Sequence, residues 1–281
     1  MSTHAIELCQ SESIEVNPSQ NMTIFVKDPL PREEYARIAM RVMDYSSLHG
    51  EQVGFIEKPQ FSREALGRLE MMGGEFCANA SRAYAVYLAM KTSPEAQSLT
   101  VPIEVSGSGE VISVEVKKIG RGLYDAALRV REKYTTEDET FYFRNLNVYG
   151  TWVHLEGIDH LIVMKEDMKC PEDFFKELIQ SMEDQSYEAL GLMVYEPLKE
   201  FLSPYVYVKA TDSLVHEKSC GSGTIAVGIY KAHSQGKDID LTLFQPGGYL
   251  KVKGTFTGRL EEITLSGPIE IVSEGVVNIN Y

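Results

Sequence analysis

Apolar positions along the first sixty residues change period twice. In "NMTIFVKD" (21–28), Met22, Ile24 and Val26 fall in one phase of a two-residue alternation, which predicts a strand. "PREEYARIAMRVMD" (31–44) then places Tyr35, Ile38, Ala39, Val42 and Met43 at helical spacing, with Pro31 at the first helical position. The short apolar piece "VGFIE" (53–57) predicts a second strand, and a glycine-rich approach leads to Cys77.

The second half repeats this order. "DHLIVMKED" (159–167) predicts a strand. "PEDFFKELIQSM" (171–182) predicts a helix begun by Pro171, with a stripe of Phe174, Phe175, Leu178, Ile179 and Met182. "LGLMVYE" (190–196) predicts another strand, and the Cys220 segment follows. Cys77 comes 46 positions after Pro31, and Cys220 comes 49 after Pro171. Four elements in matching order imply an internal duplication. Each half then continues into a hairpin-like stretch, "PIEVSGSGEVISVEVKK" (102–118) and "FQPGGYLKVKGTFTG" (244–258). The polar "EKYTTEDETFYF" (132–143) reads as the join.

The expected fold is therefore α+β. It has two pseudo-symmetric lobes, residues 1–134 with Cys77 and 135–281 with Cys220, and a ligand cleft between them. Each lobe is a mixed or antiparallel sheet wrapped on a helix.

Bulk properties narrow the function. The 281 residues, 43% hydrophobic, suffice for one large domain or two ordinary ones. A formal net charge of −14 disfavours nucleic acid and anionic membrane surfaces as partners. No apolar run approaches the length of a membrane span. The start, "MSTHAIELCQSESIE", has neither a basic nor an apolar segment, so no signal peptide and a cytoplasmic location are expected. Cys9, Cys77, Cys170 and Cys220 are too few for a disulfide framework, and no C-x-x-C or paired His spacing offers a metal site. Neither a metal nor a cofactor is expected.

Cys77 and Cys220 each stand where a helix begins, in "MMGGEFCANASRAYAVYLA" (71–89) and "EKSCGSGTIAVGIYKA" (217–232). The first helix carries Ala83, Tyr84, Tyr87 and Met90 at helical spacing and ends before Pro94; Gly236 suits the end of the second. A helix start offers free N–H groups and partial positive charge, which favour a bound carboxylate and favour thiolate over thiol. Two such starts facing one ligand would set a sulfur on each side of a carbon centre. A thiolate could then remove the α-proton from one face while a thiol protonates the other.

Other readings remain open at this point. "CGSGT" (220–224) lacks the lysine of a phosphate loop, and "SGSGE" (106–110) is a weak dinucleotide signal in a strand-rich region. The thiols could be a redox pair, a protease nucleophile with a bystander, or buried cysteines at glycine-rich caps.

The pieces "NPSQNMTIFV", "EQVGFIE", "GGEFCANAS", "EKSCGSGT" and "FQPGGYLKV", with the closing "SGPIEIVSEGVVNINY", resemble the diaminopimelate epimerase superfamily of PLP-independent racemases and epimerases. Within it the wording is most similar to the histidine racemases of opine-metallophore biosynthesis. The resemblance spans nearly the whole chain. It implies two pseudo-symmetric lobes, each a barrel-like sheet around a central helix, with Cys77 and Cys220 as the acid/base thiols. It implies that Ala78 and Asn79 lie near the substrate carboxylate, with Gly221, Ser222 and Gly223 supplying N–H groups from the other helix. Glu217 resembles the acid that holds the substrate ammonium, and Asn21 an asparagine lining the cleft. A small amino-acid substrate is implied, as is a homodimer, because superfamily members are often dimers.

Departures from the pattern bear on the substrate. "CANA" carries Ala78 where the family has Gly, "HEKSC" (216–220) shortens the long approach to the second cysteine, and "IDH" (158–160) replaces Asn-Pro-His. The groups that would grip a distal carboxylate are not plainly present, and a buried carboxylate without them would be costly. This favours histidine over diaminopimelate; a diaminopimelate epimerase, an amino-acid-binding protein and a redox dithiol module stand as alternatives. On residues alone Glu217 also reads as a solvated acid, Asn21 as a turn residue, His160 as a core histidine, and Tyr84, Tyr87, Tyr205 and Tyr207 as core.

Overall fold

The computed structural model describes residues 8–130, 133–209 and 212–280. The start of the N-terminal segment and the side chain of Cys9 lie outside it. The chain divides into two compact units, Met1–Leu128 with Gly267–Tyr281, and Arg129–Ser266.

The first unit is built from β1 (Leu8–Asn17), β2 (Thr23–Val26), α1 (Tyr35–Met43), β3 (Gln52–Glu57), β4 (Arg68–Met71), α2 (Ala78–Thr92), β5 (Ser98–Val105), β6 (Ile112–Gly120) and β7 (Leu123–Arg129). Strands β2 and β3 are parallel and joined through α1; β4 and β5 are parallel and joined through α2. Other neighbours are antiparallel, including the β5–β6 hairpin. The stripe expected on α1 is the buried one, Tyr35, Ile38, Ala39 and Val42, packed with Ile24, Val26, Val53 and Phe55. Burying each of the larger aliphatics contributes about 1.5–3 kcal/mol. Pro31 does not begin the α-helix: it is extended at ψ 134, and a 3-10 turn over Arg32–Glu34 comes first.

The second unit repeats the scheme with β8 (Thr135–Phe143), β9 (Leu146–Leu155), β10 (Ile158–Met164), α3 (Pro171–Ser181), β11 (Ala189–Glu196), β12 (Phe201–Val208), β13 (Ser213–His216), α4 (Gly221–Gln235), β14 (Ile239–Gln245), β15 (Gly248–Phe256) and β16 (Leu260–Asn280). Here β10 and β11 are parallel through α3, and β12 and β14 are parallel through α4. The correspondence with β2-α1-β3 and β4-α2-β5 makes the duplication explicit. Strand β16 serves both units: Leu260–Ser266 pairs with β15, and Glu270–Asn280 pairs with β1.

Two expectations change. Residues 135–143 are not a linker but β8, a strand at the sheet edge whose charged middle faces solvent. Charged edge strands resist pairing with other chains. The apolar stripe read on α2 is too narrow: Ala78–Val86 is buried without interruption, as expected of a helix enclosed by a sheet. Among the described residues no helix is long and apolar enough to cross a membrane.

His160 is a core histidine. It is fully buried on β10 beside Gly191, where an added Cβ would lie 2.1 Å from Nδ1, and neither ring nitrogen has a hydrogen-bond partner among the described residues. Burial pushes its pKa down to about 3. The unfolded ring takes up a proton near pH 6.5 and the folded ring resists it. Stability contributed by the neutral ring is therefore present above pH 6.5 and lost as pH falls toward 3, at about 1.4 kcal/mol per pH unit. Urea titrations between pH 7 and 4 should show this slope, and His160→Leu should flatten it.

Candidate active site

Cysteine is an unusual helix N-cap, because serine, threonine, aspartate and asparagine lead that position. Both α2 and α4 nevertheless begin on one, in matching geometry. Cys77 has φ −126 and ψ 111 and its Sγ accepts from the Ala80 N–H; Cys220 has φ −121 and ψ 114 and its Sγ accepts from the Gly223 N–H. Both N···S distances are 3.4 Å. Each cysteine carbonyl accepts from a hydroxyl one turn on, Ser81 Oγ and Thr224 Oγ1, both at 2.7 Å. Cys170, at the start of α3, makes no such cap bond. Cys77, Cys170 and Cys220 are in no disulfide among the described residues.

In the first unit Cys77, Ala78, Asn79 and Asn21 come together. Ala78 is the first residue of α2, and Asn79 Nδ2 donates to Asn21 Oδ1 at 3.2 Å. Asn21 Nδ2 donates to the Glu51 carboxylate at 3.0 Å. Two residues that the sequence reading passed over complete the cluster. Gln52, on β3, gives Nε2 to Asn21 Oδ1 at 2.5 Å and Thr23 Oγ1 at 2.8 Å, while Cys77 Sγ donates to its Oε1 at 3.0 Å. Arg82 lies one turn after Asn79, fully buried, and donates to Asn79 Oδ1 at 2.8 Å and to the carbonyls of Gly267 at 3.0 Å and Ala126 at 3.4 Å. Burial pulls its pKa down to about 10, with Asp125 and Cys77 pulling the other way. It therefore keeps its charge at neutral pH. The i, i+3 spacing from Asn79 was the available signal.

The loop before Cys77 is fastened from the two residues that follow β5. Ser106 Oγ donates to the Glu75 carbonyl at 2.7 Å and accepts from the Met71 N–H at 2.9 Å. Gly107, at φ +69, lies so close that an added Cβ would be 2.4 Å from Phe76 N.

In the second unit Glu217, Cys220, Gly221, Ser222 and Gly223 come together. The Cys220 thiol is buried, and burial first, then the negative charge of Glu217 and a hydrogen bond to it, push its pKa well up, against bonds from Ser222 and the Gly223 N–H. Gln245 locks the helix start: its Oε1 accepts from Cys220 N at 2.7 Å and its Nε2 donates to Thr224 Oγ1 at 2.9 Å. Gly223 admits Met193, whose Sδ would lie 2.3 Å from an added Cβ. Among the described residues no cluster of His, Cys, Asp or Glu could hold a metal.

The fold is that of the epimerases. A hydroxyproline epimerase from Agrobacterium vitis matches over 97% of this chain and 93% of its own, with TM-score 0.69 at 10% identity. A predicted epimerase from Pseudomonas aeruginosa matches over 94% and 98%, with TM-score 0.60 at 9% identity. These likenesses are of fold: a duplicated α+β chain with one helix-start cysteine in each unit. The family model described as "Histidine racemase CntK N-terminal domain" matches residues 11–278. A histidine racemase of Fusobacterium nucleatum subsp. nucleatum is 31% identical over 95% of this chain and 96% of its own, and one of Staphylococcus aureus is 29% identical over 92% and 94%. The chain belongs to the histidine racemase family.

Proposed function

We propose that this protein is a cofactor-independent racemase of histidine that works with Cys77 and Cys220 as two opposed acid/base groups. The observation that carries the reading is the duplicated cap: one thiol at the start of each enclosed helix, held in the same backbone geometry and by the same bonds. A substrate carboxylate suits two helix starts, with Ala78 and Asn79 at one and Gly221, Ser222 and Gly223 at the other. Glu217 takes the substrate ammonium, and Asn21 lines the site. One sulfur removes the α-proton as thiolate, and the other delivers a proton to the opposite face as thiol, so that each turnover exchanges their protonation states. Histidine is supported by the activity named for the relatives and by the lack of a plain grip for a distal carboxylate. Diaminopimelate is the second candidate. Location in the cytosol and assembly as a homodimer complete the reading; light scattering in solution decides the latter.

L-histidine in deuterated water should yield D-histidine by chiral chromatography, with deuterium at the α-carbon by NMR. Its kcat/KM should exceed that for diaminopimelate at least tenfold, the range that one or two mismatched contacts produce. Preference for diaminopimelate would change the substrate and leave the chemistry standing. Absence of α-proton exchange with either would overturn the reading.

A further inference from the structure

Hydrogen-bond polarity around Cys77 is set from two ends. Arg82 can only donate, so Asn79 must turn Oδ1 toward it and Nδ2 away. Glu51 as a carboxylate can only accept, so Asn21 must turn Nδ2 toward it and Oδ1 away. Asn21 Oδ1 then receives Asn79 Nδ2 and, from the other side, Gln52 Nε2. Turning the Gln52 amide over would set its oxygen against the Asn21 oxygen and against a Thr23 hydroxyl that already gives its hydrogen to the Asn21 carbonyl. Its remaining atom, Oε1, faces the Cys77 sulfur at 3.0 Å. A carbonyl oxygen accepts from S–H and repels S⁻.

Building on Cys77 as one of the two acid/base thiols, we propose that the Arg82–Asn79–Asn21–Gln52 relay is a polarity device that biases Cys77 toward its thiol form in the protein without substrate, with Gln52 as the positioning residue. When Cys77 gives its proton to the α-carbon, the sulfur is left as thiolate against the Gln52 oxygen, and that repulsion favours its return to thiol by taking a proton from water or from the α-carbon of the opposite enantiomer. The Ala80 N–H and the Arg82 charge limit the repulsion so that the thiolate remains accessible.

The test reads the titration of Cys77 in the full chain with Cys9, Cys170 and Cys220 changed to Ala. Thiolate absorbance near 240 nm and iodoacetamide alkylation rate against pH both report it. With Gln52 in place, Cys77 should titrate at or above the free value of about 8.5. Gln52→Leu removes the acceptor and should raise alkylation at pH 7 roughly tenfold, about one pH unit downward; Gln52→Glu replaces it with a charged acceptor and should lower alkylation by a similar factor. Circular dichroism confirms that both variants fold, which the half-buried position of Gln52 on β3 favours. If Gln52 instead presented N–H to sulfur, Gln52→Leu would lower alkylation. That result, no change, or a thiolate already formed at pH 7 would overturn the relay. Because this chain does not need to racemise, the outcome is separate from the catalytic reading, which fails on its own if Cys77→Ala still racemises.

Discussion

Cys77→Ala and Cys220→Ala should each reduce racemisation of histidine at least a thousandfold while the protein stays folded. A positioned proton-transfer group contributes about 10²–10⁴ in rate, and in a two-base inversion neither sulfur can reach the face that the other serves. The fold should survive, because the change removes one small side chain and one cap bond, together about 1–2 kcal/mol from a stability of order 5–15 kcal/mol. Cys170→Ala should leave the rate nearly unchanged, since Cys170 starts α3 without a cap bond, and so should Cys9→Ala. Each active-site variant retains one thiol, so it should still exchange the α-proton of one enantiomer with solvent without inverting it, and the two variants should prefer opposite enantiomers. Chiral chromatography and NMR in deuterated water read both effects. Retained racemisation in either variant would refute the assignment of two bases.

Gly107→Ala should destabilise the first unit by about 3 kcal/mol and reduce activity sharply, although Gly107 is no part of the helix that bears Cys77. At φ +69 an alanine is strained by roughly 1 kcal/mol or more. Its Cβ would also sit 2.4 Å from Phe76 N and 2.9 Å from the Glu75 carbonyl carbon, and backbone cannot rotate aside as a side chain can. The loop must shift, carrying Cys77 with it, and a displacement of about 1 Å at a reacting group can cost a hundredfold in rate. Thermal melting should fall by roughly 5–10 °C. Gly109→Ala is the control, since an added Cβ there meets nothing within 4 Å.

That pair shows what the sequence disclosed and what it withheld. Strands, helices and the duplication were readable because period and order survive without coordinates: the α1 stripe, Pro171 at the start of α3, and Gly236 in the left-handed region at φ 62 all follow the pattern. Both helix-start cysteines were readable for the same reason. Gly107 was not, because its neighbour, Phe76, is distant in sequence, and "SGSGE" looks the same whether it cradles a phosphate or a backbone. Arg82 and Gln52 were missed because arginine and glutamine on an alternating or helical pattern ordinarily point to solvent. Their burial is set by tertiary packing alone. The charged β8 read as a linker because an edge strand exposed to water carries little apolar alternation.

The long β16 has a consequence for synthesis. The second unit is one continuous stretch of chain, whereas β1 has one of its two partners in Glu270–Asn280, which is synthesised after that whole stretch. The second unit can thus condense while the N-terminal unit is still waiting for its final strand, which inverts the usual N-to-C order of cotranslational folding. Cutting the chain after Ser266 would release a stalled intermediate with an open strand edge along β1, an aggregation-prone species that chaperones would have to shield.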